Sequence, residues 1–222
     1  NSFSNWNSFS MGNLWSSQLS QPHALYNEKK FKEAMEWMDD YEENTSEPCA
    51  QFFYLKTLLA LELGNKVTAY DAIHKAAALD PNNIPVAQKW LELSLEQENY
   101  VDCLAACTTL IGLNVANAKE LQLDRAIYLY KLKIYDDCLH CLGNCTPTLA
   151  SVRLKAMAYY KMGAYTEALE TLQDCQTKFA HDEEVCLYQA KSLTKLGRYE
   201  EAHLALALCK NRKEQAVILQ KG

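Results

Sequence analysis

Apolar side chains recur along this chain at i, i+3 and i+4, with polar residues between them, over roughly residues 21 to 216. That spacing puts an apolar stripe on one face of a helix. No stretch alternates apolar and polar residues with the two-residue period of a half-buried strand. The pattern predicts a chain built of helices alone.

The stripes themselves repeat. KMGAYTEALETLQDC, from Lys161, and KLGRYEEAHLALALC, from Lys195, share seven residues at an offset of 34. Lys161, Gly163, Tyr165, Glu167, Ala168, Leu172 and Cys175 return as Lys195, Gly197, Tyr199, Glu201, Ala202, Leu206 and Cys209. Ala156 returns as Ala190. Upstream, an aromatic followed three residues on by a small residue recurs at Phe31–Ala34, Tyr100–Cys103 and Tyr135–Cys138. Lys66–Ala69 keeps the small residue without the aromatic. Ala69 to Cys103 is 34 residues, Cys103 to Cys138 is 35, and Cys138 to Ala168 is 30; the contraction falls in the turn around Asn144–Pro147. Alanine and cysteine at these places let two helix backbones approach closely. Gly163 and Gly197 suit helix C-caps, where φ is positive. Neither helix of such a hairpin can bury its stripe alone, so each hairpin must stack on the next.

The pattern resembles the tetratricopeptide repeat family, whose 34-residue unit is a helix–turn–helix with small residues where its helices touch and a closing proline. The resemblance implies an all-α fold, a right-handed superhelical solenoid of about six repeats, near 21–48, 50–83, 84–117, 119–148, 149–182 and 183–216. Residues 1–20 form a Ser/Asn/aromatic N-terminal extension, and 217–222 a tail or the start of a capping helix. The first-helix tryptophan of the family is absent, the closing proline survives clearly only as Pro81, and the first copy has a truncated first helix.

In this family the first helices of successive repeats line a concave groove that takes a peptide or helix. By aligned position the resemblance assigns Tyr54, Leu58, Leu61, Gln88, Glu92 and Glu96 to the early part of that groove. It assigns Leu123, Ile127, Tyr130, Lys131, Arg153, Met157, Tyr160, Lys161, Leu187, Lys191 and Lys195 to the later part. At the positions where co-chaperones of the family clamp a carboxylate tail, this chain has Tyr54, Leu58, Lys89, Glu120 and Asp124, two of them acidic. A chaperone-tail clamp is therefore disfavoured. An apolar floor with acidic residues early and basic residues late favours an apolar or amphipathic protein segment carrying acidic residues at the basic end. The chain reads as a protein-binding adaptor or scaffold. The alternative is a structural subunit whose surface is consumed by a permanent complex or homo-oligomer.

Charge and chemistry narrow the classes further. Twenty-two basic and 28 acidic side chains give a net charge of −6, which argues against a nucleic-acid partner. No apolar run approaches a membrane span, and residues 1–20 have neither the basic region nor the apolar core of a signal peptide. Nine cysteines lie mostly inside helical patterns, which suits reduced thiols and a cytoplasmic location, with the nucleus as the alternative. Cys138, Cys141 and Cys145 beside His140 are the most metal-like group. They fall on one predicted helix and the turn after it, whereas zinc draws four converging ligands. Small thiols at helix contacts explain them without a metal. No thiol–histidine pair, phosphate-binding glycine loop or convergent carboxylate pair stands out. The expectation is a non-enzymatic protein with no cofactor. Residues 1–20, with NSFS twice and Phe3, Trp6, Phe9, Leu14 and Trp15 as anchors, are expected to pack on the first hairpin. The sharper alternative seats them in a groove, the chain's own or a neighbour's, with self-association as one result.

Overall fold

A computed structural model describes residues 18–174 and 182–209. Residues 1–17 and 210–222 lie outside the described residues, and so do the expectations placed on them. The same holds for Cys175. Every regular element among the described residues is an α-helix. The chain forms two compact units, Asn1–Ala118 and Lys119–Gly222.

The first unit holds α1 (Ser20–Asn27), α2 (Phe31–Glu43), α3 (Ala50–Glu62), α4 (Lys66–Leu79), α5 (Ile84–Glu96) and α6 (Tyr100–Gly112). The second holds α7 (Ala118–Lys131), α8 (Tyr135–Gly143), α9 (Leu149–Lys161), α10 (Tyr165–Gln173), α11 (Glu183–Lys195) and α12, helical over 199–209. Consecutive helices pair as hairpins. Leu19 and Ser20, assigned by sequence to the extension, belong to the first hairpin: Ser20 opens α1 and Leu19 is 1% exposed.

The small residues of the repeat sit where the helices of a hairpin meet. Ala34, Ala69, Cys103, Cys138 and Ala168 have no exposed surface, and Ala202 has 5%. Burial, with a further push from the Asp102 carboxylate, raises the Cys103 thiol to about 11. Burial likewise raises Cys138 to about 12. Neither thiol forms a nucleophilic thiolate at neutral pH. Cys141 donates to the Gln122 carbonyl oxygen at 3.3 Å, tying α8 to α7.

Each hairpin turns by the same backbone device. One residue takes a left-handed conformation: Lys29, Gly64, Glu98, Lys133, Gly163 and Gly197, with φ between +53° and +80°. The N–H that follows it bonds back to the carbonyl five residues upstream, as Asn65 to Ala60, Ile134 to Leu129 and Ala164 to Tyr159, at 2.8–2.9 Å. This is the Schellman closure of a helix C-terminus. Only three of the six positions are glycine. Side-chain caps then start the following helices. Asn65 accepts from the Thr68 N–H, Asn83 from that of Val86, and Thr148 and Ser151 cap each other reciprocally.

In the first unit α3 is apolar all round, with ten of its 13 residues buried, and its Phe52, Leu55 and Leu59 form the centre of the core. Tyr70 on α4 donates to Asp102 and accepts from Asn99 at 3.0 Å, which joins the second hairpin to the start of α6. In the second unit Ala156, Leu172 and Val185 form one core cluster, and Leu169, Ala190, Leu193 and Ala202 another.

Cys186, in the first turn of α11, and Cys209, at the end of α12, form a disulfide with Cα atoms 6.1 Å apart. This corrects the expectation of reduced thiols for that pair. Antiparallel packing of the last hairpin sets the start of one helix beside the end of the other.

Two measurements test these features. Lys133→Gly should raise stability by about 1 kcal/mol and Gly163→Ala lower it by about as much, because only the non-glycine residue bears the cost of positive φ. Equal effects of one sign in chemical denaturation would contradict the shared turn. The bridge closes a loop of about 23 residues, worth roughly 3 kcal/mol in the unfolded chain. A reductant should therefore lower the melting temperature of the oxidised wild type and leave Cys186→Ser unmoved.

Candidate functional site

The predicted inward residues divide by unit. On α3, Tyr54 is 1% exposed and Leu58 is 8% exposed, both inside the core of the first unit. They do not offer a partner a surface there, which corrects their assignment as groove contacts. Alignment supplies the direction of a side chain and not what covers it. On α5 the corresponding Gln88 and Glu92 are exposed, as is Glu96. Glu92 is matched by Lys89 at 3.0 Å, one turn away on its own helix.

The second unit is different. Tyr130 on α7, Tyr160 on α9 and Tyr188 on α11, each the first helix of its hairpin, form one half-buried cluster. The Tyr160 and Tyr188 rings meet edge to face with centroids 5.7 Å apart. Tyr130 and Tyr188 interact through their hydroxyls. Each of the first two also touches the aromatic that opens its partner helix, Tyr130 with Tyr135 at 5.6 Å and Tyr160 with Tyr165 at 5.3 Å. Burial, with Tyr188 and Tyr135 adding to it, pushes the Tyr130 hydroxyl up to about 12. Burial and the Glu184 carboxylate raise Tyr188 as well. These hydroxyls stay protonated at neutral pH and serve as hydrogen-bond donors.

Basic side chains border the cluster. Lys191 places its ammonium 4.9 Å from the centre of the Tyr188 ring, in the range of a cation–π contact. Lys131, Lys161, Lys191 and Lys195 are all exposed. Arg153 departs from the expectation of a basic groove contact. Its guanidinium pairs with Asp182 at 3.4 Å and Glu184 at 3.3 Å, so its charge already has partners at the N-terminus of α11. Those acids belong to the next hairpin and were not on the inward list.

Leu123, Ile127 and Met157 are half-buried. Leu123 lines a cavity of about 630 Å³ with Lys119, Glu120, Asp124 and the turn from Asn144 to Thr148. Burial raises the Asp124 carboxyl above its ordinary range. Tyr188 was missed by sequence. It aligns with Leu154, which is 8% exposed, and so read as a packing position. The one available signal was that it is an aromatic three residues before Lys191. Leu187, chosen instead, is 43% exposed and points elsewhere on α11. Among the described residues no group of His, Cys, Asp and Glu is placed to hold a metal ion, and no helix is long and apolar enough to cross a membrane.

No protein-family model and no curated protein matches this chain. Solved structures do. The crystal structure of MamA aligns with a TM-score of 0.58 at 13% identity, over 76% of this chain and 93% of that one. A tetratricopeptide repeat protein from Parabacteroides merdae ATCC 43184 aligns with a TM-score of 0.50 at 14% identity, over 87% and 78%. A chain of the Naa15/Naa10 structure bound to HypK-THB aligns at 0.54 and 16%, over 89% of this chain and 32% of that one. The fold is therefore the all-α tetratricopeptide-like repeat that the sequence resembles.

The tyrosine cluster has a titration consequence. Between the ordinary tyrosine value near 10 and about 12, the unfolded chain releases the Tyr130 proton while the folded chain keeps it. Stability should therefore fall as pH rises through that window. Tyr130→Phe should reduce the slope of melting temperature against pH there, leaving the part due to Tyr188 and to the buried Cys103 and Cys138 thiols.

Proposed function

We propose that this chain is a non-enzymatic adaptor that binds a protein segment on the inward face of its second unit. The observation that carries the reading is the convergence of Tyr130, Tyr160 and Tyr188 from three successive first helices, with exposed lysines around them. Tyrosines supply large, stiff contact area with a polar tip, a composition enriched at binding surfaces. Lys161, Lys191 and Lys195 are exposed, whereas Arg153 is already ion-paired. The partner is an apolar or amphipathic segment whose anchors pack on the rings and whose acidic residues face these lysines.

The fold likeness supports a binding role only as far as fold can, and the chemistry at the site agrees: neutral hydroxyls, paired carboxylates and buried thiols. The second reading, a structural subunit, is favoured by the exposed Tyr199, Leu204, Leu206 and Leu208 along α12, an apolar surface on the last helix described.

Affinity capture from the native host, with mass spectrometry, separates them. Tyr160→Ala with Tyr188→Ala should lose the specific partners, and Lys191→Glu with Lys195→Glu should weaken them more at low salt than at high. Partners retained by both pairs of variants and lost on mutating Leu204 and Leu208 would support the subunit reading instead.

A further inference from the structure

The cavity of about 630 Å³ beside α7 has a charged wall that nothing in the fold uses. One side is the first half of α7, with Lys119, Glu120, Leu123 and Asp124. The other is the turn before α9, with Thr148, and the first turn of α9, with Ser151. That second side is held firm. Thr148 Oγ1 accepts from the Ser151 N–H at 3.2 Å, and Ser151 Oγ accepts from the Thr148 N–H at 2.8 Å. These hydroxyls are committed to the backbone, which leaves the charge on α7 as the free chemistry of the cavity.

Asp124 is the group to explain. It is half-buried, and among the described residues it has neither a hydrogen bond nor an ion pair. Burial raises its carboxyl, and no neighbouring cation offsets that shift. Arg125, the next residue, turns its guanidinium to the Cys141 Sγ at 3.5 Å. Lys119 is exposed and does not pair with it, and Glu120, one turn before Asp124, adds a second exposed negative charge. A carboxylate withdrawn from water without a counter-charge is costly, and an entering cation removes that cost. The cation that fits is organic. Among the described residues no group of His, Cys, Asp and Glu is placed to hold a metal ion, and Leu123 in the same wall offers packing for an alkyl stem.

We propose that this cavity is a subsite for an ammonium or guanidinium group, carried as a lysine or arginine side chain by the protein segment that docks on the tyrosine cluster. The source of the cation rests on the function proposed above; the site itself does not. Leu123, Ile127 and Tyr130 follow one another at i, i+4 and i+7 on α7, which puts them in one stripe. Tyr130 thus lies about 10 Å along the helix from Leu123. A segment running along α7 from the tyrosines reaches the cavity. It sets acidic residues toward Lys161, Lys191 and Lys195 and a basic one toward Asp124, and these opposite charges fix its direction.

The test titrates the full chain with N-acetyl-lysine N-methylamide and follows the backbone amides by NMR. Those of Leu123, Asp124 and Thr148 should shift saturably. N-acetyl-norleucine N-methylamide, which lacks the ammonium, should bind about tenfold more weakly. Asp124→Asn should weaken the lysine probe by about as much and leave the norleucine probe unchanged. If that variant does not fold, the comparison of the two probes on the wild type decides. Equal affinity for both probes, or no saturable shift, overturns the proposal. So does binding of n-butylammonium at a site that excludes the blocked lysine, which would make the ligand a free amine. Neither probe offers an aromatic anchor to the tyrosines, so this outcome is read separately from that of the partner capture.

Discussion

Every hairpin in this protein depends on one close approach, where a helix passes its antiparallel partner over a side chain no larger than a thiol. Ala34, Ala69, Cys103, Cys138, Ala168 and Ala202 occupy that place in turn. Interiors are packed at crystal density, so a larger residue there has no free volume to enter. The left-handed turn acts with the small residue. It reverses the chain in a fixed number of residues and so delivers the next helix with its small face inward. Three of these turns bear the cost of positive φ on lysine or glutamate, which shows that the packing downstream outweighs a penalty of about 1–2 kcal/mol.

Much of this was legible in the sequence because the constraint recurs at a fixed offset. The repeat marked the small residues, and through them the helix pairs, without any knowledge of tertiary contacts. The turns at Lys29, Glu98 and Lys133 were not legible, since nothing in a lysine or glutamate announces a positive φ. The inward face was only half legible. Register gave Tyr130, Tyr160 and the lysines, because side-chain direction on a helix follows from position alone. It could not give burial of Tyr54 and Leu58, which depends on what else lies over α3. Nor could it give the pairing of Arg153, whose acidic partners arrive with the next helix, or the disulfide, which depends on hairpin closure.

The two units consequently present unlike inner surfaces from the same repeat. On the first, aligned positions are apolar and enclosed at α3, then polar and internally ion-paired at α5. On the second, aromatic side chains converge from three hairpins and keep cationic neighbours. Tyr130 and Tyr160 there also contact the opening aromatic of their partner helices, so the tyrosine cluster packs directly on the start of the second helix of those hairpins.

The buried thiols have a use beyond filling space. Cys103 and Cys138 are enclosed, and their protons are held to about 11 and about 12, so a thiol-directed reagent reaches them only when the helices around them separate. They belong to different units, one on α6 and the other on α8. Their rates of alkylation in the native protein would thus act as two built-in clocks, each timing how often its own hairpin opens.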